Sequence, residues 1–439
     1  MATVALAAPG PSQTNVSRLK GAQDEPAIAI DPSDDRTLLA GSNSFREGSM
    51  RVYASGDGGS TWTRSFLYRP PASFLSVCAS DPGVAIDLTG RQYYSFIRTT
   101  PCRTGHPRLF VASRSGPKAD WGRPVRVDPL GTSVADDKPA IAVDASPSSP
   151  HRHRVYAAWT ALSHSQIASI VLSHSDDGGR TWSRIVRVNR SGSEETYASV
   201  ALARNGTVYV AWDDPSDHSL KIARSTDGGA HFGPERTLVT FAIVPIPSCG
   251  SGILIPASLR VCLHPNPIVS VDRSSGPHAG RVYVSYTQTD VGGDEGVIVS
   301  ALDSALRPLT EEGTPVAPAP RSVRPDQFWP ASAVDQSTGA TWVCFYETGD
   351  RARKKAFYAC TVSRDGGATW ARRVRAASIG SDETQPGADL RQYGDYQGLA
   401  VANGVAHPIW TDSRHLRMLG EEIYTTRLAE ADVPAATKR

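Results

Sequence analysis

Seven times along the chain, a short strand of small apolar residues is followed by a turn and an aromatic-rich strand. The first strands read PAIAID from Pro26, PGVAID from Pro82, PAIAVD from Pro139, ASVALA from Ala198, PIVSVD from Pro267, PASAVD from Pro330 and QGLAVA from Gln397. Their starts lie roughly sixty residues apart, a spacing at which each repeat is one supersecondary unit stacked on its neighbours. The second strands end on Phe96, Trp159, Trp212, Tyr286, Tyr346 and Trp410, with LLAGS ending at Ser42 as a weak first member. Third strands such as MRVYAS, IVLSHS and FYACTVS follow, and most repeats add a fourth, such as RIVRVNR. No stretch over about ten residues has the 3.6-residue period of an amphipathic helix.

Four short strands per unit, repeated seven times, predict an all-β, seven-bladed β-propeller. Small first strands suit the crowded centre of a radial array, and aromatic second strands fill the widening space between blades. The seventh repeat ends near Leu428 with three strands, so residues 12–19 (SQTNVSRL) are expected to supply the missing one and close the ring. This gives a flexible tail over 1–11, a single propeller domain over 12–430 and a C-terminal tail over 431–439. A six-bladed ring with an appendage is the alternative.

Lys plus Arg number 46 against 44 Asp plus Glu, a net charge of +2. That balance gives no global attraction to nucleic acid. No apolar run reaches the roughly 18 residues of a transmembrane helix. The opening MATVALAAPGPSQ lacks a basic n-region, so a signal peptide is not evident. The 6 cysteines fall as three local pairs, Cys78 with Cys102, Cys249 with Cys262 and Cys344 with Cys360. Even, local spacing favours disulfides and a secreted or cell-surface protein over buried thiols. No cysteine or histidine cluster has zinc spacing, no cofactor is expected, and nothing in the sequence supports a structural calcium ion. The chain is expected to be a monomer.

Four repeats carry a near-identical turn between third and fourth strands: SGDGGSTW at Ser55–Trp62, SDDGGRTW at Ser175–Trp182, STDGGAHF at Ser225–Phe232 and SRDGGATW at Ser363–Trp370. The Asp is suited to accept backbone N–H groups across a tight turn, the glycines allow its dihedrals, and the terminal ring plugs the space between sheets. The motif resembles the Asp-box (BNR) repeat of the sialidase (neuraminidase) superfamily, and the resemblance runs through nearly the whole chain. It implies a propeller with these turns on the outer rim, away from an active site, so Asp57, Asp177, Asp227 and Asp365 are expected to be turn staples. Sialidases also resemble one another in a three-arginine clamp on the sialic acid carboxylate, a Tyr nucleophile activated by a Glu, and an Asp acid/base. The Arg-Ile-Pro stretch that introduces the first arginine is missing here. The last repeat, with its WTDSR ending, resembles that of bacterial secreted sialidase-like proteins.

Loops entering the innermost strands converge on one mouth of the channel. The register puts Glu25, Asp81, Lys138, Tyr197, Asn266, Trp329 and Tyr396 there, preceded by Asp24, Asp137 and Asp395, among others. Loops leaving the second strands bring Arg46, Arg98, Glu347, Asp412 and Arg414 to the same face. The most unusual segment, RQYGDYQG at Arg391–Gly398, sets Arg391, Tyr393, Asp395 and Tyr396 in one loop. Acids in split environments serve acid/base chemistry, aromatics stack on sugars, and arginines hold a carboxylate or sulfate. The candidate catalytic set is therefore Asp395, Tyr393, Tyr396, Arg391, Arg46, Arg98, Arg414, Glu25, Asp81, Asp137 and Glu347. The expected function is a carbohydrate-active enzyme, an exo-glycosidase or sialidase-like hydrolase or a lyase, acting on acidic glycans. The alternative is a non-catalytic propeller that binds glycan or protein.

Overall fold

Period-two alternation builds strands whose two faces both pack, because each sheet lies between two others. The computed structural model describes residues 11–45, 49–67, 78–102, 104–128, 131, 134–165, 167–241, 252–289, 294–317, 325–386 and 393–435. They form a seven-bladed β-propeller of antiparallel sheets, each numbered here in chain order. Blade 1 runs through Ala27–Asp31, Asp34–Ser44, Ser49–Ser55 and Thr63–Phe66. The inner strands of blades 2 to 7 are Cys78–Ile86, Ala135–Val143, Thr196–Leu202, Ile268–Val271, Gln327–Val334 and Gly398–Ala402. The six-bladed alternative falls, because each repeat builds its own sheet.

The sheet of blade 7 takes its outer strand from the other end of the chain: Gln13–Asn15 pairs with Glu422–Thr426, Gln13 opposite Thr426 and Asn15 opposite Tyr424. Val16 is fully buried there in a cluster with Ile28, Leu38, Ile409 and Ile423, which joins blade 1 to blade 7. Six further clusters, one at each remaining blade interface, bury the second-strand rings, with Trp159, Trp212, Tyr346 and Trp410 completely buried. Cys344 and Cys360 face each other across the second and third strands of blade 6 and are disulfide-bonded, as are Cys78 and Cys102. Cys262 is disulfide-bonded too, and Cys249, the partner expected for it, lies outside the described residues.

The repeated turns share one hydrogen-bond scheme. In blade 1 the Asp57 carboxylate accepts the Thr61 N–H at 2.9 Å and the Thr61 and Ser55 hydroxyls, and the Ser55 Oγ accepts the Gly59 N–H. The Thr61 hydroxyl and N–H hold the Asp57 carboxyl down at about 2. Asp177, Asp227 and Asp365 repeat the scheme. A second staple ends the inner strands, where Asp31, Asp87, Asp144, Asp272 and Asp335 each accept the N–H two residues on. Both carboxylate sets stabilise hairpins at strand ends.

Candidate active site at the channel mouth

Each inner strand begins with a kink. Ser80 pairs with Ile97 and Gly83 with Ser95, so one extra residue is inserted at Asp81 and Pro82. The same single-residue bulge occurs at Lys138, Tyr197 and Trp329. Six blades place a non-glycine residue in the left-handed region at this position: Glu25, Asp81, Lys138, Tyr197, Asn266 and Trp329, with φ between 45° and 61°. Such residues cost of order 1–3 kcal/mol each. Repeating that strain around one ring is a feature of the architecture, and bulges re-aim side chains beside binding sites. Blade 7 differs: Gly394 takes the positive φ, 77°, and a Cβ there would lie 2.8 Å from Glu25 Cγ. Glycine therefore lets this loop close on blade 1, where the Asp395 N–H donates to Glu25 Oε1 at 3.1 Å.

The ring gathers an acidic cluster. Asn43 Nδ2 donates to Asp24 Oδ1 and to Glu25 Oε2, both at 2.8 Å, while Asn43 Oδ1 accepts the Asp81 N–H at 3.0 Å. The Lys138 N–H donates to Asp81 Oδ2, and the Lys138 ammonium ion-pairs with Asp395. That ammonium also lies 5.4 Å from the Tyr197 ring centroid. Burial, then Asp81, raise the Glu25 carboxyl well above its ordinary range. Asp137 is open to the channel, yet the funnel wall desolvates it and Asp81 and Asp395 repel its charge; its pKa rises to about 6 against the pull of Lys138. Burial works against the charge on Lys138, but Tyr197, Asp81, Asp395 and Glu25 outweigh it and raise its pKa.

The Tyr396 hydroxyl is buried among Asp81, Glu25 and Asp395 and makes no hydrogen bond among the described residues. Burial and those charges raise its pKa, so it is a neutral donor and not an activated nucleophile. Tyr197, Trp329 and His264 pack together behind the acids, with the Tyr197 ring centroid 5.2 Å from that of His264 and 6.2 Å from that of Trp329. Among the described residues, no group of three or more His, Cys, Asp or Glu side chains is arranged to hold a metal ion.

The structure thus brings Glu25, Asp81, Asp137, Asp395 and Tyr396 together. It places four other candidates elsewhere. Tyr393 is buried against Phe328 and Tyr346, its hydroxyl donating to the Ser381 carbonyl. Glu347 accepts hydrogen bonds from Arg373 and Gln327. Arg98 stacks over the Phe110 ring at 3.9 Å. Arg414 forks onto Asp412, at 2.8 and 2.6 Å, and lies over Tyr424. The WTDSR ending is thereby a packing unit, with Trp410 Nε1 also donating to Asp412. Arg46 and Arg391 lie outside the described residues.

Sequence reasoning missed Asn43, whose only signal is a run of polar residues, SNS, inside an otherwise buried strand. It also missed His264, which lies 3.8 Å from Asp213, and the fully enclosed pair Glu383 and Glu421 beneath the blade 7 loop.

The chain matches no protein-family model and no curated protein sequence. Solved structures share its fold. A Hadza microbial sialidase is 14% identical with a TM-score of 0.52, over 96% of this chain and 69% of that one. A protein of unknown function from Dyadobacter fermentans is 13% identical with a TM-score of 0.51, over 95% and 99%. An ulvan lyase is 10% identical with a TM-score of 0.53, over 95% and 96%. At these identities the likeness is one of fold: the chain is a propeller of the shape that sialidases and polysaccharide lyases also adopt.

Proposed function

We propose that the acidic mouth hydrolyses glycosidic bonds, with Asp137 as general acid and Asp395 as general base. The observation that carries this reading is the split between two neighbouring carboxyls. Asp137 faces the channel with its pKa raised to about 6, while Asp395 is ion-paired to Lys138. Acids whose environments differ in this way divide the roles of proton donor and proton acceptor. Asp137 gives its proton to the leaving-group oxygen as the anomeric carbon–oxygen bond breaks. A water molecule attacks the anomeric carbon and passes a proton to Asp395. Tyr197 and Trp329 are buried and back the acids from behind, and the buried Tyr396 hydroxyl lies among the same carboxyls. Two structures of the same fold are named as a sialidase and a polysaccharide lyase, and that likeness supports a saccharide as substrate.

The substrate class follows from the charge. Glu25, Asp81, Asp137 and Asp395 surround one ammonium, an excess of carboxyls that favours an uncharged sugar over the acidic glycan expected from sequence. A panel of neutral and acidic aryl glycosides tests both points. Turnover of a neutral glycoside that Asp395→Asn lowers at least about 100-fold, measured at a temperature where the variant is still folded, is the expected result. Absence of turnover across the panel, or full activity in Asp395→Asn, would reject the reading.

A further inference from the structure

The channel has a second mouth, at the far ends of the inner strands, enclosing a cavity of about 830 Å³. Its wall is apolar, with Ala29, Ile86, Val143 and Val401 from four blades. Two arginines line it from adjacent blades: Arg204 in the first hairpin of blade 4 and Arg273 in that of blade 5. Neither has a carboxylate within ion-pair distance or a side-chain hydrogen bond among the described residues. The acids that share the cavity keep their charge, and each accepts a hydrogen bond from a neutral donor rather than from either arginine. Asp31 holds Ser33, Asp335 holds Ser337 and the Gly404 N–H, Asp34 holds Thr37, and Asp35 holds Asn403. Asp144, which attracts Arg273 from behind, accepts from the Ser146 N–H and the Ser149 hydroxyl. Burial lowers the Arg273 pKa against that attraction, as befits a cation without a bonded counter-charge.

We propose that this far mouth is a second ligand site that takes a small saccharide bearing a carboxylate or sulfate, its anionic group held between Arg204 and Arg273. The volume suits a mono- or disaccharide, the apolar wall suits a ring face, and paired arginines suit an oxyanion with two accepting oxygens. Asp31, Asp34, Asp35 and Asp335 share the lining, so the site is defined by its two arginines and not by the net charge of the mouth. The site is independent of the hydrolytic reading, since no residue is common to both.

Titration calorimetry of the full chain with D-glucuronate, glucose 6-sulfate, glucose and inorganic sulfate tests this. Glucuronate or the sulfated sugar binds, glucose does not, and Arg273→Gln weakens the anionic sugar by about tenfold or more. Arg204→Gln weakens it in the same direction, and Asp137→Asn at the opposite mouth leaves it unchanged. If Arg273→Gln fails to fold, Arg204→Gln carries the test alone. Binding that survives both substitutions, glucose binding as tightly as glucuronate, inorganic sulfate binding as tightly as either sugar, or no binding at all would overturn the proposal.

Discussion

Lys138 of blade 3 reaches across the channel to ion-pair with Asp395 of blade 7, joining two blades that are not neighbours in the ring. Both side chains are largely shielded, at 15% and 17% exposure, so losing one partner leaves the other charge poorly solvated. Lys138→Met is expected to lower stability by about 2–4 kcal/mol at pH 7. The deficit shrinks as pH falls and the surrounding carboxylates take up protons. Urea denaturation at pH 7 and pH 5 measures it; an equal loss at both would show that packing, and not charge, sets the effect.

Asn43 ties blade 1 to blade 2 through three hydrogen bonds made by one buried amide. Asn43→Ala strands the Asp81 N–H and takes one hydrogen bond from each of the Asp24 and Glu25 carboxyls, for an expected loss of about 2–4 kcal/mol. Asn43→Asp keeps the shape but adds a carboxylate to the cluster. It is expected to be worse than alanine at pH 8 and to recover in acid, which thermal melts across pH would reveal.

The left-handed ring makes a prediction about backbone strain. Asn266, at φ 45°, has a side chain that tolerates this region, and its Nδ2 bond to the Asp395 carbonyl is long at 3.3 Å. Asn266→Gly should therefore change stability by less than about 1 kcal/mol, whereas Asn266→Val should cost about 2 kcal/mol or more, because β-branching resists positive φ. Equal melts for the two variants would remove strain from the account.

The ring was legible in the sequence because the residues that begin the inner strands share a register with the PAIAID-type repeats. Reading one position back from each repeat names Glu25, Asp81 and Lys138 directly. What the register does not carry is side-chain direction. Tyr393 and Tyr396 sit three residues apart in one loop, yet the first packs against Phe328 and Tyr346 while the second turns to the acids. Arg98, Arg414 and Glu347 have the right chemistry on the right strands, but a ring face or a countercharge beside each takes it up first. Glu383 and Glu421 lie in the loop-like stretches SDETQ and GEEI, and only the closed seam between blades 6 and 7 makes them a buried pair.

That pair sets a pH dependence. Burial and the neighbouring Glu421, with Asp412 behind, raise the Glu383 carboxyl well above its ordinary range, against the Ser413 hydroxyl. An unfolded glutamate loses its proton near about 4.3. Above that point the folded chain still holds a proton that the unfolded chain has released, so this group's contribution falls as pH rises towards its folded value. Glu383→Gln removes the penalty. It should raise stability at pH 8 by about 1–2 kcal/mol and leave it nearly unchanged at pH 4. A destabilised variant at pH 8 would show that the pair stabilises the seam as it stands.

The central claim is that Asp137 delivers a proton in glycoside cleavage. The most direct measurement is the pH profile of kcat/KM for the parent and for Asp137→Asn on the best neutral glycoside. The account predicts a parent profile that falls as pH rises through about 6, where Asp137 loses its proton. In Asp137→Asn that limb should vanish, with activity at least about 100-fold lower and the melt preserved. An aryl glycoside whose leaving group needs no proton should be cleaved by the variant with a much smaller loss. A parent profile flat from pH 5 to pH 8, or an Asp137→Asn variant that keeps both the profile and the rate, would contradict it.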